Sequence, residues 1–151
     1  MMSSAIKSKD RVKKSAEVFT PANIVFDMLL TSHLRDILND LDKTIFDPAA
    51  GQGQFPCAEL FLKMFFNLDN LSDENCLRAV NSIHAVEIQA DNCREYLYHF
   101  VETFKSSYEF LCDKPCPVDL LIKVAFIAKK NLINDDFLKV FGDSNKQMNL
   151  F

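Results

Sequence analysis

A pair of glycines in one short turn constrains this chain more than any other feature. Gly51 and Gly53 follow the run Ile45-Phe46-Asp47, a short, apolar and β-prone segment that ends in a carboxylate. The 151 residues contain only 3 glycines, where an average composition would give about ten. Two glycines so close together indicate a backbone that turns sharply or approaches another group closely. The pattern predicts a buried strand, a tight turn and then a helix.

The composition is that of a globular chain with one domain. Hydrophobic residues make up 48% and charged residues 25% of the chain, which excludes a disordered, collagen-like or coiled-coil protein. A net charge of −4 provides no basic field, so we do not expect the chain alone to bind nucleic acid. The N-terminus lacks the apolar segment of a signal peptide, and no apolar run is long enough to cross a membrane. We expect a cytoplasmic protein without membrane association.

The cysteines do not form a recognisable framework. They are 5 in number, and they lack CxxC pairs, so we expect reduced thiols rather than disulfides. Cys112 and Cys116 have no second ligand pair at a usable distance along the chain. We therefore expect no zinc or other metal site.

Strand-like and helical segments alternate after a basic leader at residues 1–16, which we expect to be flexible. The predicted strands are residues 43–47, 83–88 and 137–141, with helical patterns between them and a proline-containing loop at 105–117. This alternation predicts an α/β fold with a parallel sheet. Right-handed crossovers would place the three strands in the order 3-2-1, which is half of a Rossmann-like sheet.

Capping signals predict where several helices begin. Thr20-Pro21 is typical of a helix start, because the threonine hydroxyl can cap and a proline at the first position loses no needed N–H. Ser72 predicts the N-cap of a helix that continues to Val80. Residues 118–130 predict a buried helix.

Each predicted strand ends beside an acid, namely Asp47, Glu87 and Asp143. The carboxyl ends of parallel strands meet at the ligand-binding edge of such a sheet. A carboxylate after the second strand suits the two hydroxyls of a ribose, and one after the third suits an exocyclic amine such as adenine N6. Ile88 offers an apolar face to a purine ring. These residues together predict a site for an adenosine-containing ligand.

The spacing of the motifs distinguishes between adenosine ligands. The dinucleotide fingerprint GxGxxG has a third glycine and an acid about 20 residues later. Here position 56 is a proline, and Glu87 lies much further along the chain. Asp47, just before the glycines, would repel a pyrophosphate. A cationic ligand without phosphate, such as S-adenosylmethionine (SAM), therefore fits better than NAD or ATP.

Four segments carry a resemblance to a known family. They are Phe19-Thr20-Pro21, Asp47-Pro48-Ala49-Ala50-Gly51-Gln52-Gly53-Gln54-Phe55, Val86-Glu87-Ile88 and Gly142-Asp143-Ser144. In this order they resemble the N6-adenine DNA methyltransferases whose SAM-binding motifs begin with an N-terminal FTP segment. The resemblance implies SAM as cofactor. It also implies a partial class I SAM-dependent methyltransferase domain over residues 17–151.

The resemblance implies roles at the methionine end of the cofactor. Thr20 and Pro21 would lie near the methionine carboxylate and amine, and Asp47 would orient this end through the amino group. Backbone contacts would come from Ala49, Gly51 and Gly53.

It also implies roles at the adenosine end. Glu87 would hold the ribose, and Ile88 would stack on the adenine. Asp143 would accept a hydrogen bond from adenine N6.

The family's catalytic tetrapeptide, Asn/Asp-Pro-Pro-aromatic, does not occur in the 151 residues. In the family that motif holds the target adenine, which must leave the duplex before it can react. A region for recognising the DNA sequence is also missing. We therefore predict the SAM-binding part of a restriction-modification type enzyme, with no catalytic residue assigned and no activity alone. DNA would be reached only through missing or partner regions.

Three interpretations of such a chain remain open. It is a fragment of a longer enzyme, one half of a split methyltransferase, or a non-catalytic remnant that binds SAM or another protein. A 3-2-1 sheet leaves the outer edge of its first strand unpaired, and such an edge favours association. We therefore expect a homodimer, or a complementary methyltransferase half docked at residues 43–47.

Overall fold

Residues 8–11 and 18–142 are described by a computed structural model of the protein. The helices are α1 (Ala22–Leu29), α2 (Ser32–Leu38), α3 (Gln54–Phe66), α4 (Asp73–Asn81), α5 (Ala90–Cys112), α6 (Val118–Asn131) and α7 (Phe137–Phe141). The strands are β1 (Ile45–Asp47), β2 (Ile83–Val86) and β3 (Leu132–Ile133).

The strands form one parallel sheet in the spatial order β1-β2-β3. Ile45 pairs with Ile83 and Asp47 with Ala85, and on its other side Ala85 pairs with Leu132. Helices α3 and α4 connect β1 to β2, and α5 and α6 connect β2 to β3. The prediction of three parallel strands in the order 3-2-1, flanked by helices, is confirmed at this level.

The position predicted for the third strand is wrong. Residues 137–141 form helix α7, and the strand is instead Leu132–Ile133, directly after α6. Two residues cannot show the alternation that identifies a strand in a sequence. Leu132 and Ile133 form a strand because they pair with Ala85 and Val86 of β2.

Helix α7 forms because its two phenylalanines meet the same ring. The Oδ1 atom of Asp136 accepts a hydrogen bond from the N–H of Leu138 at 2.9 Å and so caps the helix. Phe137 and Phe141 lie one turn apart, and both pack on Phe46 of β1, with ring centroids at 5.9 and 5.6 Å. A helix brings residues four apart onto one face, whereas a strand would spread them along its length.

The predicted loop at residues 105–117 is wrong over its first part. Helix α5 continues to Cys112 and ends at Asp113, whose φ of 50° is left-handed. The rings of Phe104 and Tyr108 stack at 6.0 Å and are fully buried, so packing on the core extends the helix.

Two of the predicted helix starts can be compared directly. Ser72 is the N-cap of α4, and its side chain accepts a hydrogen bond from the N–H of Asn75 at 3.1 Å, as predicted. The cap of α1, however, is Pro21, and it has no side-chain hydrogen bond. Thr20 therefore does not cap this helix.

The core lies where helices α3, α5 and α6 pack on the sheet. Leu60 and Met64 from α3, Phe100 and Phe104 from α5 and Val124 from α6 are each at most 1% exposed. This packing fixes the turn before α3 and the start of α5 against the carboxyl ends of β1 and β2.

Among the described residues β1 pairs with β2 alone. The association expected at residues 43–47 stays a prediction.

The N-terminal segment contacts the domain through an ion pair. Arg11 lies 2.7 Å from Asp91, in the first turn of α5. In the part of the chain that the structure describes, no helix has the length and apolarity of a membrane span.

Candidate functional site

The turn between β1 and α3 brings the backbone close to two aromatic rings. Gly51 has a φ of +56° and Gly53 a φ of +94°, both in the left-handed region that favours glycine. A Cβ added at Gly51 would lie 3.1 Å from a ring carbon of Phe19, and one at Gly53 would lie 3.0 Å from the ring of Tyr96. Both the conformation and the close approach therefore require these glycines.

The N-terminal segment of the candidate site packs on this turn. Phe19 is 7% exposed and its ring lies against Gly51. Thr20 is half-buried and Pro21 is exposed. The structure therefore places Phe19 beside the glycine turn, although it is distant from the turn in the sequence.

Glu87 connects the two strand ends that the sequence singles out. It follows β2 directly and is 6% exposed. Its Oε2 atom accepts a hydrogen bond from the N–H of Gly51, and its Oε1 atom accepts one from the N–H of Gln89, both at 2.7 Å. The carbonyl of Val86 accepts a further bond from the N–H of Ala50 at 3.0 Å. The glycine turn is thus attached to the end of β2 at two points.

Asp47 lies at the end of β1, close to the Glu87 carboxylate. Its Oδ1 atom accepts a hydrogen bond from the N–H of Ala49 at 3.0 Å. Burial raises the pKa of Asp47, and the charge of Glu87 raises it further, while the bond from Ala49 lowers it. Two acids held close together in a partly desolvated site favour a cation over an anion.

Three residues of the turn are expected from the family resemblance to contact the cofactor through their backbone, and their N–H groups all donate to acceptors within the protein. Ala49 donates to Asp47, Gly51 to Glu87, and Gly53 to the carbonyl of Ala50 at 2.9 Å. A ligand here would approach the turn closely but would not receive hydrogen bonds from these amides in this arrangement.

Ile88 presents an apolar side chain beside the buried acid. It is 56% exposed, in contrast to Glu87 before it. Asn134, which directly follows β3, donates through Nδ2 to the carbonyls of Glu87 and Ile88 at 2.8 and 3.1 Å. The sequence pattern does not indicate Asn134, because it predicts the third strand at residues 137–141 and not directly before Asn134.

The position of the third acid of the predicted site relative to the other two stays a prediction. Asp143 lies outside the described residues. The acids that follow the observed β3 are Asp135 and Asp136, and Asp136 caps α7. Asp135 is exposed, and its Oδ1 atom accepts a hydrogen bond from the N–H of Asp136 at 2.7 Å.

Comparison with known proteins gives no relative for this arrangement. No protein-family model, no curated protein and no solved structure matches the chain.

Glu59 is an acid that the sequence analysis did not single out. It lies on the inner side of α3, is 5% exposed, and its charge interacts with that of Asp47. Its neighbours in the sequence are apolar, so the sequence pattern does not show which side of this helix faces solvent. A single acid in such a helix is expected at the surface.

Two pockets lie next to this region rather than in it. One, of about 760 Å³, lies between α1, α3 and α5 and reaches Gln52 and Gly53. The other, of about 570 Å³, lies against the sheet and is lined by Phe46 and His84. Neither of these two pockets is lined by Asp47, Glu87 or Ile88.

The side chains that could bind metals or act as nucleophiles are dispersed. Among the described residues, no group of three or more His, Cys, Asp or Glu side chains could hold a metal ion. All five cysteines are free, and burial raises the pKa of Cys57 to about 11. This thiol is therefore a weak nucleophile at neutral pH.

Proposed function

We propose that this chain binds SAM at the carboxyl ends of β1 and β2, as the cofactor-binding part of a DNA adenine-N6 methyltransferase. The observation that carries the proposal is the contact between Gly51 and Glu87. It joins the glycine turn to the acid at the end of β2, and the ring of Phe19 packs on the same turn, so three of the four segments that carry the family resemblance meet there.

The residues present fit the two ends of this ligand. A carboxylate offers about four acceptor positions, and two backbone N–H groups use two of those of Glu87. Two positions remain for the hydroxyls of a ribose. The exposed Ile88 supplies apolar surface for a purine, and the acidic surroundings of Asp47 favour an ammonium or sulfonium group.

The observed β3 changes which acid we propose for adenine N6. A group that directly follows the observed third strand at the ligand-binding edge would come from Asn134 or Asp135. We therefore propose Asp135 as the acceptor, in place of Asp143.

The proposal concerns cofactor binding and not methyl transfer by these residues alone. The residues that would hold a target adenine are not among the 151. We expect methyl transfer to DNA only when another segment or partner supplies them.

Calorimetric titration with SAM tests the proposal, with ATP and NAD titrated under the same conditions. We expect SAM to bind and the two phosphate-containing ligands to give no heat. Replacing Ile88 by alanine should weaken SAM binding on the order of tenfold, or about 1.4 kcal/mol. Ile122→Ala is the matched control, because Ile122 is an equally accessible isoleucine, 65% exposed, on α6. Absence of heat from SAM with the intact protein would overturn the proposal.

A further inference from the structure

Helix α3 carries a buried carboxyl group that has an unsatisfied atom. Glu59 is 5% exposed, and its Oε2 atom has no hydrogen-bond partner among the described residues. Buried polar atoms in proteins nearly always have such a partner, so an exception needs a physical explanation.

The nearest cation does not neutralise this carboxyl group by a direct bond. Lys63 lies one turn further along α3 and is fully buried. Its Nζ atom donates to the carbonyls of Asp40 and Lys43, at 2.9 and 2.7 Å. The ammonium group thus holds the segment that leads into β1, and its interaction with Glu59 is one of charge alone.

A proton on Glu59 lowers the cost of this arrangement. An ionised carboxylate that is buried with an unpartnered oxygen is very costly, whereas a neutral carboxyl group in the same place costs much less. Burial raises the pKa of Glu59 to about 8, and the charge of Asp47 raises it while that of Lys63 lowers it. The geometry and the electrostatics therefore both indicate a neutral Glu59 at pH 7.

Two other titratable groups near Glu59 carry no charge at pH 7. Cys57 lies on the same helix, and burial raises its pKa to about 11. Tyr96 faces the cluster from α5, and burial raises its pKa well above the usual value. Both are neutral at pH 7, so the charges near Glu59 are those of Asp47 and Lys63.

We propose that Glu59 is a further residue of the cation-binding site, and that it releases its proton when a cationic ligand binds at Asp47. In this step the O–H bond of the carboxyl group breaks and the proton passes to solvent. The positive charge of the ligand then takes the place of the proton. The inference rests on the proposed binding of SAM and adds a linked proton to it.

Calorimetry in several buffers of different ionisation enthalpy, at neutral pH, counts the protons released on binding SAM. We expect the natural protein to release close to one proton per SAM more than Glu59→Gln, which preserves shape and removes the titrating group. The α-amino group of SAM titrates in the same range, but it contributes equally to both proteins. Glu102→Gln, at an exposed position of α5, is the matched control and should release as many protons as the natural protein.

A carboxyl titration of the free protein by nuclear magnetic resonance provides the second measurement. We expect the Glu59 signal to change well above the range of ordinary glutamates. Titration at an ordinary value, or equal proton release from the natural protein and Glu59→Gln, overturns the inference. SAM binding without proton release also overturns the inference but leaves the proposed function standing. If SAM does not bind at all, the proposed function and the linkage both fail.

Discussion

The N–H of Gly51 donates a hydrogen bond to the Oε2 atom of Glu87 at 2.7 Å, across 36 positions of the sequence. The same carboxylate also receives the N–H of Gln89, so it organises the surface where β1 and β2 end. An acid that closes a turn in this way is both a structural residue and the centre of the candidate site.

Replacing Glu87 by glutamine tests the structural part of that role. An amide has one acceptor oxygen, so one of the two backbone N–H groups loses its partner. We expect the free energy of unfolding to fall by about 1–3 kcal/mol, as measured by urea denaturation. Glu102→Gln, at an exposed glutamate of α5, is the control. Equal stabilities of the two variants would contradict the structural role.

Replacing Gly53 by alanine tests the turn itself. The added Cβ would lie 3.0 Å from the Tyr96 ring at a φ of +94°. We expect a loss of about 2 kcal/mol in the free energy of unfolding. Asp113 has a positive φ of 50° without being glycine, so Asp113→Gly should have the opposite sign and stabilise by about 0.5 kcal/mol. Thermal unfolding of both variants checks the pair, and a stable Gly53→Ala protein would count against the close approach.

Replacing Lys63 by methionine removes two buried hydrogen bonds. The carbonyls of Asp40 and Lys43 would lose the ammonium group that holds them before β1. We expect the variant to be about 3 kcal/mol less stable in chemical denaturation at neutral pH. Lys129→Met, at an exposed position of α6, should change stability little. A similar result for both lysines would show that the buried bonds contribute nothing.

Stability should depend on pH through Glu59. Its pKa rises on folding from 4.5 to about 8, so the folded protein holds a proton that the unfolded chain has released. The resulting stabilisation is fully present below pH 4.5 and is lost as the pH rises through about 8. As the pH rises between these two values, the free energy of unfolding of Glu59→Gln should therefore increase relative to that of the natural protein, by at most about 1.4 kcal/mol per pH unit. Denaturation curves across this range check the trend, and a constant difference between the two proteins would refute it.

The acid after the third strand can be assigned by comparing two substitutions. If the observed β3 places the ligand contact, Asp135→Asn should weaken SAM binding on the order of tenfold. Asp143→Asn should then leave the dissociation constant unchanged. Calorimetry on both variants decides the matter, and the reverse result would favour the acid that the sequence pattern first indicated.

Local patterns were sufficient for the elements whose signals lie within one stretch of chain. Helices α4 and α6 begin and end within one residue of their predicted bounds. The cap at Ser72 and the apolar spacing of these helices act between residues only a few positions apart. The glycine turn after Asp47 was recognisable for the same reason, because the need for a positive φ is a property of the turn itself.

The third strand and α7 could not be read in this way. Leu132–Ile133 is a strand only because β2 lies beside it. Phe137 and Phe141 stay helical because both contact Phe46, a residue far away in the sequence. Asp143 was expected as the third acid because it follows residues 137–141, which form a helix and not the predicted strand.

The sequence by itself determined the parallel α/β order, the glycine turn and the two acids at the ends of β1 and β2, because a strand end and a sharp turn leave local signatures. Only the tertiary structure decided what those acids contact. The bond from Gly51 to Glu87, the approach of Phe19 to the turn and the burial of Glu59 all join residues that are distant in the chain. Burial and long-range hydrogen bonds set the charge of a carboxyl group, and they exist only once the helices have packed on the sheet.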